Sequence, residues 1–534
     1  MLPLENVTVG QLLDRTAQLH HDRPALWYQA RYWTYREFSS EINSCAAALA
    51  AWGVRKGDHV GIWGEMEPEV VCTFYALQKI GAIAVMLNTS LTEKELIDQV
   101  RLADVTHLCV GSNYKVNGNL LTICREIQEQ LGHKHVITVG EKPYADADSL
   151  SHLRSTTADA WLQRAQQMAD QVSSQDTAVI LFTSGSTSLP KAVMSSHYSR
   201  VNGGIQQAGD MHCSERDRFC VALPMFHCFC ISVNLFASLA CGGCLCIPEN
   251  RRTASILHTI EVCKCTMLSA VPAMYDAMIK KDTFQTSKVS SLRTGIIGGA
   301  FCPPEQFALI EHSLGFTLLS SLGQTETTAG LSVCEMDDPL ELRSATVGHF
   351  MNHVEGKVID LATGAPLPRG QRGEICVRGY LTMQGYYKQP EATRQVLGED
   401  GWLRTGDLGT LDEKGYITLC GRVKELIIRG GENISPSEIE RALLTCPQVQ
   451  SCKVVGVPDT HYGEEICACI LPNPGQLPDE AELRKLLSER LAYYKIPRYM
   501  LFWKELPCTS TGKVSGKDCA RRAAEQLHLT QALL

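Results

Sequence analysis

Apolar runs of strand length alternate with stretches of helical period along most of the chain. Ala178–Phe182 (AVILF), Phe219–Leu223 (FCVAL), Cys244–Ile247 and Thr294–Ile297 are of the first kind. Leu91–Ala103 and Arg252–Cys263 carry apolar residues at helical spacing. Such alternation predicts βα units, hence an α/β fold with mostly parallel sheets. Phe219–Pro248 contains no Asp, Glu, Lys or Arg and has the length of a membrane span. Pro224 and His227 interrupt its first half and Gly242-Gly243 its second, so it reads as strand, helix (Ile231, Leu235, Leu239) and strand inside a core, and no transmembrane segment is expected. From Lys142 to Asp176 the composition turns to Ser, Thr, Ala, Gln and Asp, which predicts a surface connection with a single solvated helix. After Gly373 the pieces are short and β-like with a turn at Gly415-Tyr416, and a compact α+β segment starts near Gly421. Two domains are therefore expected, 1–420 and 421–534; no internal repeat of fixed period is present.

Composition narrows the class. With 44% hydrophobic and 20% charged residues over 534 positions, the chain can bury a large core and need not be disordered. A net charge of -8 leaves no basic stripe to neutralise a run of phosphates, which excludes nucleic acid as an expected partner. The 23 cysteines are odd in number and scattered, and Met1–Asp14 has neither a basic n-region nor an unbroken apolar h-region. Reduced thiols in the cytosol follow as the expectation. The CGGC at Cys241–Cys244 has the look of half a zinc site, but no second pair of similar spacing follows with suitable ligands; buried thiols on an apolar strand are expected.

Chemistry concentrates in FTSGSTSLPK, Phe182–Lys191, which continues the apolar run AVILF. Small hydroxyl residues and a glycine let backbone N–H groups and hydroxyls converge on phosphate oxygens, and a lysine supplies positive charge. It is not a Walker A loop: counted from Gly185, Pro190 stands where the second glycine belongs and Ala192 where Ser or Thr belongs.

Downstream lie GIIGGA (Gly295–Ala300), SLGQTET (Ser321–Thr327), RGEICVRG (Arg372–Gly379), GWLRTGDLG (Gly401–Gly409), GRVKELIIRGGENISPSEIE (Gly421–Glu440) and TSTGK (Thr509–Lys513). In this order, together with FTSGSTSLPK, they resemble the core motifs of the adenylate-forming superfamily: acyl-CoA synthetases, aryl-CoA ligases, luciferases and peptide-synthetase adenylation domains. The resemblance runs from WTYREF (Trp33–Phe38) to Lys513. It implies a large N-terminal domain of stacked, mostly parallel sheets with a small barrel-like β part, and a small mobile C-terminal α+β domain, with the active site at their junction. The reaction it implies joins a carboxylate to the α-phosphate of ATP, expels pyrophosphate and passes the acyl group to coenzyme A. Two anions must meet, so catalysis is mostly positioning and charge neutralisation.

The resemblance also implies roles. Thr183, Ser184, Gly185, Ser186, Thr187 and Lys191 cradle phosphate. Glu326 holds Mg2+. Gly298, Gly299 and Ala300 lie along the adenine, with Leu322, Gly323 and Thr325 beside them. Asp407 accepts hydrogen bonds from both ribose hydroxyls, a task for two acceptor oxygens, and Arg422 holds the nucleotide nearby. Lys424 is the hinge position, Gly430 and Gly431 line the thiol tunnel, and Lys513 carries the cation that stabilises charge at the α-phosphate. His227, in LPMFH, is the gate beside the substrate carboxylate or a satisfied core histidine.

Three residues depart from the family pattern. Ser188 and Ala192 replace glycines of the phosphate loop, and Leu322 replaces the aromatic that stacks on adenine, which predicts weaker ATP binding with intact chemistry. The apolar surroundings of His227, with PMFHCFC resembling medium-chain fatty-acyl-CoA synthetases, favour a fatty or other apolar acid. A stand-alone adenylation enzyme loading a carrier protein, and a degenerate nucleotide-binding scaffold, are the alternatives; retention of Glu326, Asp407, Arg422 and Lys513 speaks against the scaffold.

Overall fold

A computed structural model describes residues 2–111, 135–140, 149–183, 190–282, 284–429, 432–459, 462–508 and 513–529. The chain forms two compact units: Met1–Gly356 with Val377–Leu403, and Lys357–Cys376 with Arg404–Leu534.

The first unit is built on two sheets. In one, Thr177–Thr183, Ile83–Met86, His59–Trp63, His107–Gly111 and His135–Val139 are neighbouring parallel strands, and Lys191–Ser196 and Gly385–Tyr386 extend the sheet antiparallel. Ala178 to Leu181 are at most 1% exposed, because helices cover both faces of a parallel sheet and leave no position for a polar side chain. The nine-stranded sheet has a parallel centre from Thr317–Gln324 to Pro24–Tyr28 and antiparallel additions at each end.

Local chemistry sets the helix ends. Thr34 caps Tyr35–Trp52 in a reciprocal box with Glu37, and Gly53 ends it at φ 115°. The WTYREF string is thus a helix start. Ser196 and Ser199 cap His197–Asp210 in the same way.

Phe219–Pro248 folds as strand, helix and strand, with two local differences. The first strand is only Arg218–Cys220, since Ala222 N–H turns back to the Cys220 carbonyl and Pro224 has no N–H to extend the ladder. The helical part includes a wide π turn, Ile231–Phe236, packed against Gly204, where an added Cβ would lie 2.6 Å from Phe236. Among the described residues no helix is long and apolar enough to cross a membrane. The stretch expected to hold one solvated helix holds two, Leu150–Thr156 and Ala160–Ala169; Leu150, Ala165 and Met168 are buried, too sparse an apolar set to stand out in the sequence.

His197 opens its helix fully buried, its Nδ1 accepting from the Val9 N–H at 3.3 Å. Burial pulls its pKa down to about 4, against a raising effect of Asp176 and a further lowering by Lys56. Below the ordinary value of 6.5 the unfolded chain takes up a proton that the folded one refuses, so this contribution to stability, about 3 kcal/mol, is lost as pH falls from 6.5 towards 4. A melting series over that window should show the loss in the parent protein and a flatter profile in His197→Gln.

From Arg404 on, the second unit contains the antiparallel hairpin Leu403–Leu411 and Ile417–Arg422, the last two strands of a four-stranded sheet, turned at Gly415 (φ 94°). A five-stranded sheet follows, centred on Gly463–Pro472, with helices Pro436–Leu444, Glu480–Ser488 and Gly516–Gln526.

Candidate active site

Thr183 and Lys191, on either side of the phosphate-loop string, pair in register on neighbouring antiparallel strands. Ser184, Gly185, Ser186 and Thr187 lie outside the described residues. The Lys191 ammonium stands 4.4 Å from the centre of the Tyr386 ring, a cation–π contact. On the same ring, the phenol donates to Glu326 Oε1 at 2.8 Å. Burial, then the Glu326 carboxylate, push the Tyr386 pKa up, so the phenol stays a donor. Backbone bonds fix this triad: Met383 N–H donates to the Glu326 carbonyl at 2.9 Å, and Tyr386 pairs in register with Val193.

The turn carrying Glu326 is held from beneath. Thr328 sits at φ 61°, a region costly for a β-branched residue. Its carbonyl accepts from Arg200 Nη1 at 2.9 Å and Ser232 Oγ at 2.7 Å, while its hydroxyl donates to the Leu381 carbonyl at 2.7 Å. Thr325 Oγ1 donates to Cys228 Sγ at 3.6 Å, which ties the turn to the residue after His227. His227 is half-buried, 4.6 Å from the Phe226 ring centre, and stands at the start of the following helix.

Gly298 closes on the same place. A Cβ there would lie 3.3 Å from the Ser321 carbonyl and 3.8 Å from the Phe229 ring. Gly299 has φ 78°, and Gly299 and Ala300 are exposed, so backbone is presented without bulk. Leu322 is 8% exposed and pairs with Ser332; Gly323 is exposed. The first unit thus brings together Lys191, His227, Gly298 and Thr325–Glu326, with Leu322 and Gly323 on the adjoining strand.

In the second unit Asp407 and Arg422 are register partners across the hairpin, with Arg422 Nε 2.9 Å from Asp407 Oδ1. Asp407 is 4% exposed, and Glu374 holds its approach by accepting from Gly406 N–H at 3.0 Å and from Arg404 Nε at 2.8 Å. Lys424 lies in the short turn Val423–Glu425. Lys513 is exposed. Gly430 and Gly431 lie outside the described residues. The Cys241 thiol donates to the Ser238 carbonyl and Cys244 to the Leu245 carbonyl, and among the described residues no cluster of His, Cys, Asp or Glu is arranged for a metal ion.

Sequence reasoning missed Tyr386 and Arg200. The aromatic pair in GYYKQP, directly downstream of RGEICVRG, is a signal for the first. Nothing in the sequence marks Arg200, whose 1% exposure depends on the Thr328 carbonyl 128 residues away.

A lysine at the end of a central-sheet strand, set beside the acidic Glu326 turn, together with bare glycine backbone at Gly298 and Gly299, fits a nucleotide-activating α/β enzyme. Residues 13–387 match the family model described as AMP-binding enzyme, and residues 438–513 the model described as AMP-binding enzyme C-terminal domain. Over the full length of both chains it is 34% identical to a putative acyl-CoA synthetase, YngI, of Bacillus subtilis. It is 32% identical to the mitochondrial medium-chain acyl-CoA ligase ACSF2 of Danio rerio, covering 99% of this chain and 90% of the relative. The solved structure of ATP-bound MatB from Rhodopseudomonas palustris superposes with a TM-score of 0.87 at 26% identity, covering 98% of this chain and 100% of that one. The chain belongs to the AMP-binding, adenylate-forming family and is an enzyme of its AMP-forming acyl-CoA ligase group.

Proposed function

We propose that this enzyme activates a fatty or other largely apolar carboxylic acid as acyl-AMP, releasing pyrophosphate, and transfers the acyl group to coenzyme A as a thioester. The observation that carries the reading is the Lys191–Tyr386–Glu326 triad, which sets a cation and a carboxylate beside the phosphate-loop hairpin. Lys191 and the loop from Thr183 to Thr187 bind phosphate. Gly298–Ala300, Leu322, Gly323 and Thr325 receive the base, and Asp407 and Arg422 hold the ribose. Gly430 and Gly431 line the thiol path, Lys424 is a hinge between residues 1–420 and a mobile 421–534, and His227 borders the carboxylate. Lys513 supplies the cation at the α-phosphate.

Magnesium fits the donor set. Glu326 offers a hard carboxylate with Oε1 already oriented by Tyr386, and a lone carboxylate suits an ion that keeps its waters and otherwise binds phosphate. When bound it neutralises phosphate oxygens. Met225, Phe226 and Ile231 are buried around His227, which supports an apolar acid body. The described cysteines are all free, which supports a reducing compartment, and we place the enzyme in the cytosol.

The test is acid-dependent ATP–pyrophosphate exchange followed by thioester formation. Offering CoA and a phosphopantetheinylated carrier protein with the same acid separates a ligase from a carrier-loading enzyme; a scaffold shows no exchange. Asp407→Asn keeps the shape of the hairpin but removes an acceptor charge, and should raise the ATP KM about 10–100-fold with a much smaller change in kcat. Initial rates across ATP concentrations check it.

A further inference from the structure

One face of the helix His197–Asp210 carries buried polar groups along the strand that leaves the Glu326 turn. Arg200, Gly203, Gln207 and Asp210 recur at helical spacing and share that face. Arg200 Nη1 reaches the Thr328 carbonyl, and a Cβ built on Gly203 would lie 3.4 Å from Thr328 Cγ2. Further along, a Cβ on Gly330 would lie 3.1 Å from Gln207 Oε1 and 3.2 Å from Met351 Sδ. The face therefore starts beside the catalytic turn and recedes from it, with Gln207 about 10 Å beyond Arg200 along the helix.

At that far end polar atoms lack partners. Gln207 is 2% exposed and its Nε2 has no hydrogen-bond partner; Tyr380 is 7% exposed and its hydroxyl has none. Asp210 Oδ2 is in the same condition, and Asp210 and Tyr380 interact electrostatically. Protein interiors satisfy nearly all buried polar groups, so a cluster of this kind is suited to pair with an ordered water or with a polar group of a ligand.

We propose that Gln207, Asp210 and Tyr380 form the far wall of the acid site, and that the acid activated here is an apolar chain of medium length ending in a hydroxyl group. A hydroxyl both accepts, from Gln207 Nε2 or the phenol, and donates, to Asp210, which a plain hydrocarbon end cannot do. Burial, with the nearby Glu335 carboxylate, raises Asp210 to about 7, so at neutral pH its carboxyl serves as either acceptor or donor to that group. The inference rests on the acid:CoA ligase reading and adds the chemistry of the tail.

The test compares plain and terminally hydroxylated hexanoic, octanoic and decanoic acids with the full chain, ATP and CoA, scored as kcat/KM for pyrophosphate release. At one chain length the hydroxy acid should be preferred by about tenfold or more, because the plain acid leaves the wall unpaired. Gln207→Leu and Tyr380→Phe should each lower the ratio of hydroxy-acid to plain-acid kcat/KM about tenfold, a shift in preference that loss of structure does not produce. Preference for the plain acid at every length, or equal loss on both acids in both variants, overturns the proposal. Failure of the ligase reading has a different signature, no pyrophosphate release with any acid, and removes this proposal with it.

Discussion

Lys513→Ala should lose acid-dependent ATP–pyrophosphate exchange by about 100–1,000-fold, while thioester formation from supplied acyl-AMP stays within about threefold of the parent. The asymmetry follows from charge. In the first half-reaction a carboxylate approaches a triphosphate already rich in negative charge, and in the proposed site Glu326 adds another carboxylate. A unit charge at about 4 Å in a surface-like dielectric is worth about 4 kcal/mol, the scale of the expected loss. In the second half-reaction the leaving group is AMP and the attacking group a thiol, so less charge has to be brought together and the same cation has little to do. Lys513→Arg keeps the charge on a bulkier head and should recover part of the exchange. Equal losses in both half-reactions would instead make Lys513 a binding residue for the acyl-adenylate. Pyrophosphate exchange and single-turnover thioester formation, measured on the same preparations, separate the two.

What could be read from the chain follows the range of the forces involved. Ala178–Phe182 announced a strand because a parallel strand buried on both faces has no polar position to hide its signal. Asp407 and Arg422 were legible as members of ordered strings, and the hairpin register that makes them partners is local, set by the turn at Gly415. The triad was half legible: Lys191 and Glu326 sit in recognisable strings, but the phenol joining them comes from a strand whose pairing with Val193 no local pattern encodes. Arg200 was illegible for the same reason, since an arginine between Ser199 and Val201 reads as a solvated helix residue until a distant carbonyl is placed over it. Leu322 was noted for what it replaces, and its burial beside Ser332 shows the other half, an apolar side chain settled into the core. The strand at Phe219 was drawn too long because apolarity persists through Leu223 after the ladder has ended.

Gly295→Ala should be the most damaging small substitution in the first unit, although it adds one methyl group. A Cβ at Gly295 would lie 1.6 Å from the Leu268 carbonyl oxygen and 2.5 Å from its carbon, so the strands Thr294–Ile297 and Met267–Leu268 would have to part. Parting them sacrifices the bonds from Ala270 N–H to the Ile296 carbonyl at 3.0 Å and from Arg293 N–H to the Thr266 carbonyl at 2.8 Å. It also pulls the Leu268 carbonyl from the Tyr275 hydroxyl, 2.5 Å away in a fully buried site. Strain and unsatisfied groups together should cost about 4–5 kcal/mol or more, seen as a fall of about 6 °C in the melting temperature of this unit or as loss of soluble protein. Gly57→Ala is the control: its φ of 85° strains an alanine, but nothing lies within 4 Å of the new Cβ, so the cost should stay near 1 kcal/mol. The comparison also divides the string GIIGGA by physical cause. Gly295 is demanded by the neighbouring strand whatever the enzyme binds, whereas Gly299, exposed and with no atom nearer than 3.4 Å to an added Cβ, is free to answer to a ligand. A Gly295→Ala protein that melts like the parent but binds ATP poorly would reverse that division and move the first glycine of the string into the nucleotide site.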